Sequence, residues 1–189
     1  MKRSRKIAVY VITAFFFLLY ILTDTVELFQ SGLSSSQMIL TYIAMAGISL
    51  SLIGLYAAED TKSGYMRLIG ILLISLSFVY FSGTATYAFA EKSPDYAPLV
   101  RKLGSIYLLH GVILIIGTFL FAVTLLKEKS FYLIVSIMLI ASSLLSFSAG
   151  LFGLTEQLYV VSNFVRNSGF VIFCLLRTEN TIKAGFLSI

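Results

Sequence analysis

The sequence predicts an all-α fold: a polytopic transmembrane helix bundle with six membrane-spanning helices and both termini in the cytoplasm. Three observations carry that expectation. Hydrophobic residues make up 58% of the 189-residue chain and charged residues 12%, where soluble domains hold roughly 45–50% and about 25%. Six apolar runs approach or exceed the roughly 20 residues that cross about 30 Å of hydrocarbon. Lysine and arginine are shared unevenly between alternate connections, and that bias sets orientation. Mean hydropathy is +0.94.

The first run, 7–22, follows the basic head "MKRSRK". Basic head plus apolar core also describes a signal peptide, but "TDTVELF" stands where a small-residue cleavage site belongs. The run therefore reads as a retained first helix. The second, 38–57, carries the small-residue pairs Gly47/Ser51 and Gly54/Ala58, spacing that lets helices approach closely. The third, 68–89, ends in "YFSGTATY". The fourth, 104–126, contains His110, and the fifth, 131–151, passes through "SSLLSFSAG". The sixth, 158–176, is interrupted by "SNFVRNSGF". Each run must be helical, because lipid offers no partner to a backbone group left unpaired.

With the N-terminus inside, the inner segments hold Lys2, Arg3, Arg5, Lys6, Lys62, Arg67, Lys127, Lys129, Arg177 and Lys183. The outer ones hold Lys92, Arg101 and Lys102. Ten against three puts both ends in the cytoplasm. Asp24, Glu27, Glu91, Asp95 and Glu156 then make the outer rim mildly acidic. Tyr56, Tyr65, Tyr107, Tyr132 and Tyr159 fall near the expected interfaces, where a ring with a polar tip is comfortable.

Residues 1–189 read as one integral membrane domain in the cytoplasmic membrane of a prokaryote. Three helices on each side of the "AEKSPDYAPLVRK" loop allow an inverted repeat, yet no motif is shared between the halves. A net charge of +5 does not indicate nucleic acid, since the basic residues lie between apolar runs without interleaved aromatics. Cys174 is the only cysteine, so an intrachain disulfide is impossible.

Arg166 is the polar feature that demands an explanation. Eight residues into the sixth run it lies about 12 Å deep, where a charge costs several kcal/mol unless it faces protein or water. Asn163 and Asn167 flank it, and Tyr159, Asn163, Arg166 and Phe170 share one helix face. His110 lies roughly 9 Å into the fourth run, so antiparallel threading brings it to a similar depth. Ser82, Thr84, Thr86, Ser143, Ser146 and Ser148 are expected to add hydroxyls to that layer, with Glu91 and Glu156 at its rim. The functional expectation is an outward-opening polar pocket. The structural one is an Arg166 paired with Glu91 or Glu156, or reaching toward the outer surface, with His110 and the serines serving helix packing.

Several chemistries lack their residues. One histidine cannot supply bis-histidine haem ligation, and His110 and Cys174 lie in opposite halves of the bilayer, which disfavours a zinc site. A mid-helix lysine, a deep carboxylate and a glycine-rich phosphate loop are all missing from the pattern, and a nucleophile triad has no buried acid to complete it. No cofactor, no metal and no enzymatic activity are expected.

The stretch "YAFAEKSPDYAPLVRKLGSIYLLHGVILIIGTFLF" sets Phe-x-Glu at the end of the third run and a histidine early in the fourth. "GLFGLTEQLYV" sets a glycine and a glutamate at the entry to the sixth. This arrangement resembles a domain-of-unknown-function family of six-helix archaeal and bacterial membrane proteins, whose members read Phe-Pro-Glu, then His, then Gly-x-x-Glu-Arg. Ala90 stands here for the proline and Gln157 for the arginine. The resemblance covers the second half of the chain and implies roles for Glu91, His110 and Glu156, without an activity.

The expected function is binding of a small anionic or lipid-like ligand. Arg166 would hold the anion through its fork of donors, Asn163 and Asn167 would orient it, and His110 would hydrogen-bond it. The alternatives are an accessory subunit packed against a membrane-protein partner and, third, a small transporter.

Overall fold

The structure, a computed structural model, describes residues 1–29, 34–59, 64–90, 104–128, 130–152 and 156–186. They form six helices: α1 (Arg3–Phe29), α2 (Ser35–Ala58), α3 (Gly64–Ala90), α4 (Ser105–Leu125), α5 (Tyr132–Phe152) and α6 (Glu156–Phe186). Each contains a stretch long and apolar enough to cross a membrane, so the chain has the make-up of a multi-pass membrane protein. The described residues contain no strand.

Every helix packs against its neighbours in sequence, and α6 closes the circle by packing on α1. Four of the five connections are no longer than six residues, which makes neighbours in sequence neighbours in space, and the even helix count returns the chain to its starting side. Arg3 in the first turn of α1 donates from Nη2 to the Ile182 carbonyl near the end of α6, at 2.6 Å. We call this side the basic end of the bundle and the opposite side the far end.

The outer surface is greasy and much of the polarity is inside. Leu50 is 74% exposed and Ile134 62%, as suits side chains facing acyl chains. The centre is filled by aromatic rings from four helices. Phe17 of α1 stacks on Phe170 of α6, with ring centres 4.6 Å apart. Phe170 meets Phe121 of α4 at 5.3 Å, and Phe17 meets Phe78 of α3 at 6.2 Å. Such rings form a dense plug and gain from offset and edge contacts beyond their burial.

Glycines set two of the helix contacts. A Cβ on Gly70 would sit 3.0 Å from the Gly117 carbonyl, and one on Gly117 would sit 2.9 Å from the Gly70 carbonyl. A Cβ on Gly47 would collide with the Phe16 ring, which fixes α1 against α2. Gly64, with φ +73°, starts α3 in the left-handed region that glycine adopts without a steric cost.

Two helices run further than their apolar runs. At 27 and 31 residues, α1 and α6 are about 40 and 46 Å long. In α1 the extension takes in "TDTVELF": Thr23 and Thr25 turn their hydroxyls back to the carbonyls of Tyr20 and Ile21, at 2.9 and 2.7 Å. Polar side chains satisfied this way do not stop a helix. Asp24, expected on the outer rim, therefore stands within the last two turns of α1. In α6 the polar stretch from Arg177 to Thr181 stays helical, with Lys183 pairing to Glu179 one turn back.

Candidate ligand-binding site

Buried polar groups gather in two places, separated by the aromatic plug. The first surrounds Arg166. This side chain is 4% exposed, and its guanidinium carbon lies 5.8 Å from the centre of the Phe78 ring, a cation–π distance. Tyr20 and Asp24, both on α1, stand close enough to act on it electrostatically. The counter-charge thus comes from the helix extension described above. Of the rim residues expected to supply it, Glu91 lies outside the described residues. Glu156 opens α6, and its side chain is not described.

Asn167 is completely buried, and neither its amide nitrogen nor its amide oxygen has a hydrogen-bond partner among the described residues. The same holds for Arg166 Nε. Asn163, one turn earlier, is half-buried. These groups occupy consecutive turns of α6 in the half of the bundle nearer the far end.

His110 is 3% exposed. Its ring meets Phe81 edge-on, with centres 3.7 Å apart, and stacks on Tyr80 at 5.8 Å. Ser77 Oγ donates to the His110 carbonyl at 2.9 Å, tying α4 to α3. Arg166 and His110 both face the interior, and both contact α3, at Phe78 and Phe81. Those phenylalanines are one helical turn apart and touch each other at 6.3 Å. The imidazole and the guanidinium thus meet α3 one turn apart, at rings that touch each other.

The expected hydroxyl layer is corrected. Ser82, Thr84, Thr86 and Ser143 all donate to carbonyls of their own helices, at 2.7–3.3 Å. Local backbone acceptors take these donors before a pocket can. Ser146 instead shares a 2.5 Å hydrogen bond with Ser162, which donates to the Ser142 carbonyl at 2.7 Å. That pair joins α5 to α6.

The second polar group lies at the basic end and was not singled out from the sequence. Arg67 of α3 pairs with Glu59 at 2.9 Å and with Glu128, and its Nε donates to Thr124 at 3.0 Å. Arg177 of α6 reaches the same two carboxylates, at 2.5 and 2.8 Å. Tyr10 of α1 donates to the free oxygen of Glu59 at 3.1 Å. Residues from five of the six helices or their ends thus converge on one four-charge network. Burial raises the Glu59 carboxyl above its ordinary range, outweighing the opposing pull of Arg177 and Arg67. Tyr132, expected near an interface, is the first residue of α5 and is 1% exposed. The guanidinium of Arg177 lies 4.5 Å from its ring centre, and Asn180 donates to its hydroxyl at 3.0 Å.

The sequence contained a signal for this network. Glu59, Arg67, Glu128 and Arg177 each sit at or just inside the end of a span on the same side, with balanced charge. Reading Arg67 and Arg177 only as orientation charges hid their partners. Among the described residues no three His, Cys, Asp or Glu side chains group as a metal site would require.

No family model, no curated protein and no solved structure matches this chain. Its own geometry is what a functional reading can use.

Proposed function

We propose that this multi-pass membrane protein binds a small anionic or lipid-like ligand at Arg166 and Asn167, without catalysing a reaction on it. The observation behind the reading is three buried polar atoms without partners among the described residues: Arg166 Nε and both amide atoms of Asn167. Burying such groups unmet costs about 1–3 kcal/mol each, and native proteins leave few of them. A ligand offering an acceptor to the guanidinium and a complementary group to the amide would remove that cost. Arg166 has five N–H donors, enough to serve Asp24 and a ligand together. Asn163 would orient the ligand from the preceding turn, and the His110 ring would line its approach. With the basic end in the cytoplasm, as the lysine and arginine bias implies, the site would lie in the outer half of the bilayer.

Oleate and lysophosphatidic acid are suitable probes, since both join an anionic head to an acyl chain. The expected result is a rise in thermal stability of the delipidated protein that disappears in Arg166→Gln. A D24N/R166Q pair keeps the buried charge balanced, so loss of the response there does not reflect misfolding. An undiminished rise in both variants would defeat the proposal.

A further inference from the structure

Gln37 stands in the first turn of α2, at the far end of the bundle. Ser34, Ser35 and Ser36 before it are exposed, whereas Gln37 is 4% exposed. A buried amide has N–H donors and a carbonyl oxygen to satisfy, and the partners of this one are few. The backbone N–H of Gln37 donates to Ser34 Oγ at 3.2 Å, the cap of α2. Its side-chain Nε2 donates to the Thr23 carbonyl of α1 at 3.3 Å. That contact fixes the orientation of the amide, because turning it over would set two oxygens against each other. Oε1 is the atom left over, buried and without a hydrogen-bond partner among the described residues.

Thr23 joins this amide to the surroundings of Arg166. Its hydroxyl donates to the Tyr20 carbonyl at 2.9 Å, and Asp24 follows it in the chain. Tyr20 and Asp24 are the α1 residues that act on Arg166. The Tyr20 ring meets Phe78 edge-on at 5.7 Å, and the Arg166 guanidinium lies over that same phenylalanine. Gln37 therefore reaches the α1 turns that face Arg166. The unmet atoms of this layer are of two kinds. Arg166 Nε and Asn167 Nδ2 donate and call for an acceptor, while Asn167 Oδ1 and Gln37 Oε1 only accept and call for a donor. Acceptors on two different helices, α6 and α2, thus make the same demand.

We infer that the ligand is an anionic lipid carrying a hydroxyl group beside its head, with the hydroxyl donating to Gln37 Oε1 while the anion meets Arg166. The inference rests on the ligand-binding reading of Arg166 and Asn167, and adds the group that must accompany the anion. A hydroxyl suits the amide oxygen better than an ammonium. A neutral donor brings no further charge into a buried layer that already holds Arg166. A fatty acid alone leaves Oε1 unmet.

The experiment titrates the purified full chain, delipidated in neutral detergent, with two lipids. One is oleoyl lysophosphatidic acid; the other is its analogue with hydrogen in place of the glycerol hydroxyl. Thermal unfolding midpoints give an apparent Kd for each. The wild type should bind the hydroxylated lipid about tenfold more tightly, the effect of one buried hydrogen bond. Gln37→Met keeps an unbranched side chain and has no amide oxygen. It should respond to both lipids with the preference lost, whereas Arg166→Gln should lose both responses. Should Gln37→Met fail to fold, Gln37→Leu repeats the comparison. Equal affinities in the wild type, or a preference that survives intact in the Gln37 variant, would overturn the inference and leave the Arg166 reading standing. No response to either lipid would overturn both.

Discussion

Gly70 and Gly117 face each other across the α3–α4 contact, so close that a methyl on either would meet the other's carbonyl oxygen at 2.9–3.0 Å. Backbone atoms cannot rotate aside as a side-chain tip can. A methyl at either position must therefore push the two helices apart. Gly70→Ala and Gly117→Ala are each expected to destabilise the bundle by about 1–3 kcal/mol, the usual cost of overpacking. The intrinsic helix preference of alanine, up to about 1 kcal/mol, opposes that loss without cancelling it. Gly111→Ala is the control. A Cβ there meets nothing within 4 Å, and its stability should be unchanged or slightly raised. Thermal unfolding in one detergent orders the three variants, and a neutral Gly117→Ala would contradict the contact.

The network at the basic end predicts a different pattern of loss. Removing Arg67 leaves Glu59, whose side chain is 4% exposed, with one guanidinium in place of two. Breaking a buried pair by deleting one partner costs about 3–5 kcal/mol, and Arg67→Ala should approach that range. E59Q/R67A removes both charges and should recover part of the loss. A double-mutant cycle on unfolding midpoints measures the coupling. Additive effects would mean that the two residues do not interact.

The sequence's hydrophobic lengths were enough to give six helices and their even parity, because apolar length is a local property. The ends of α1 and α6 were not legible. Both continue through polar residues whose side chains are satisfied within the helix, as Thr23 and Thr25 show. The longer α1 places Asp24 where its charge acts on Arg166, a counter-charge that the length of the first apolar run does not reveal. The inward facing of Arg166 followed from the cost of charge in lipid alone. The Arg67–Glu59–Arg177–Glu128 network follows only from the circular helix order, which brings four span ends together. No periodicity within one helix encodes such a meeting.

Glu59 also predicts a pH dependence. Its carboxyl holds a proton more tightly in the folded protein than at its ordinary value near 4.5. The folded state therefore binds more protons than the unfolded chain across the interval above that value, and stability falls as pH rises through it. Glu59→Gln has no proton to lose. The midpoint of Glu59→Gln minus that of the wild type should grow more positive from below pH 4.5 toward neutrality, then level off above the raised value. Unfolding scans across that interval test the sign. A difference that moves the opposite way would show that the arginines, and not burial, dominate the carboxyl.

Asn167 separates ligand binding from stability most sharply. Its amide is fully buried, and neither polar atom finds an acceptor or donor among the described residues. Leucine has the same branched side-chain skeleton and no polar group to leave unmet. In the delipidated protein, Asn167→Leu should therefore stabilise the bundle by about 1–3 kcal/mol, the desolvation cost of unpaired groups. The same change removes the amide proposed to orient the ligand, so the response to oleate or lysophosphatidic acid should shrink or vanish. Gain of stability with loss of response is the expected signature of a polar group retained for binding. If Asn167→Leu destabilises the unliganded protein and leaves the ligand response intact, Asn167 is a structural residue and the proposed site loses its second anchor.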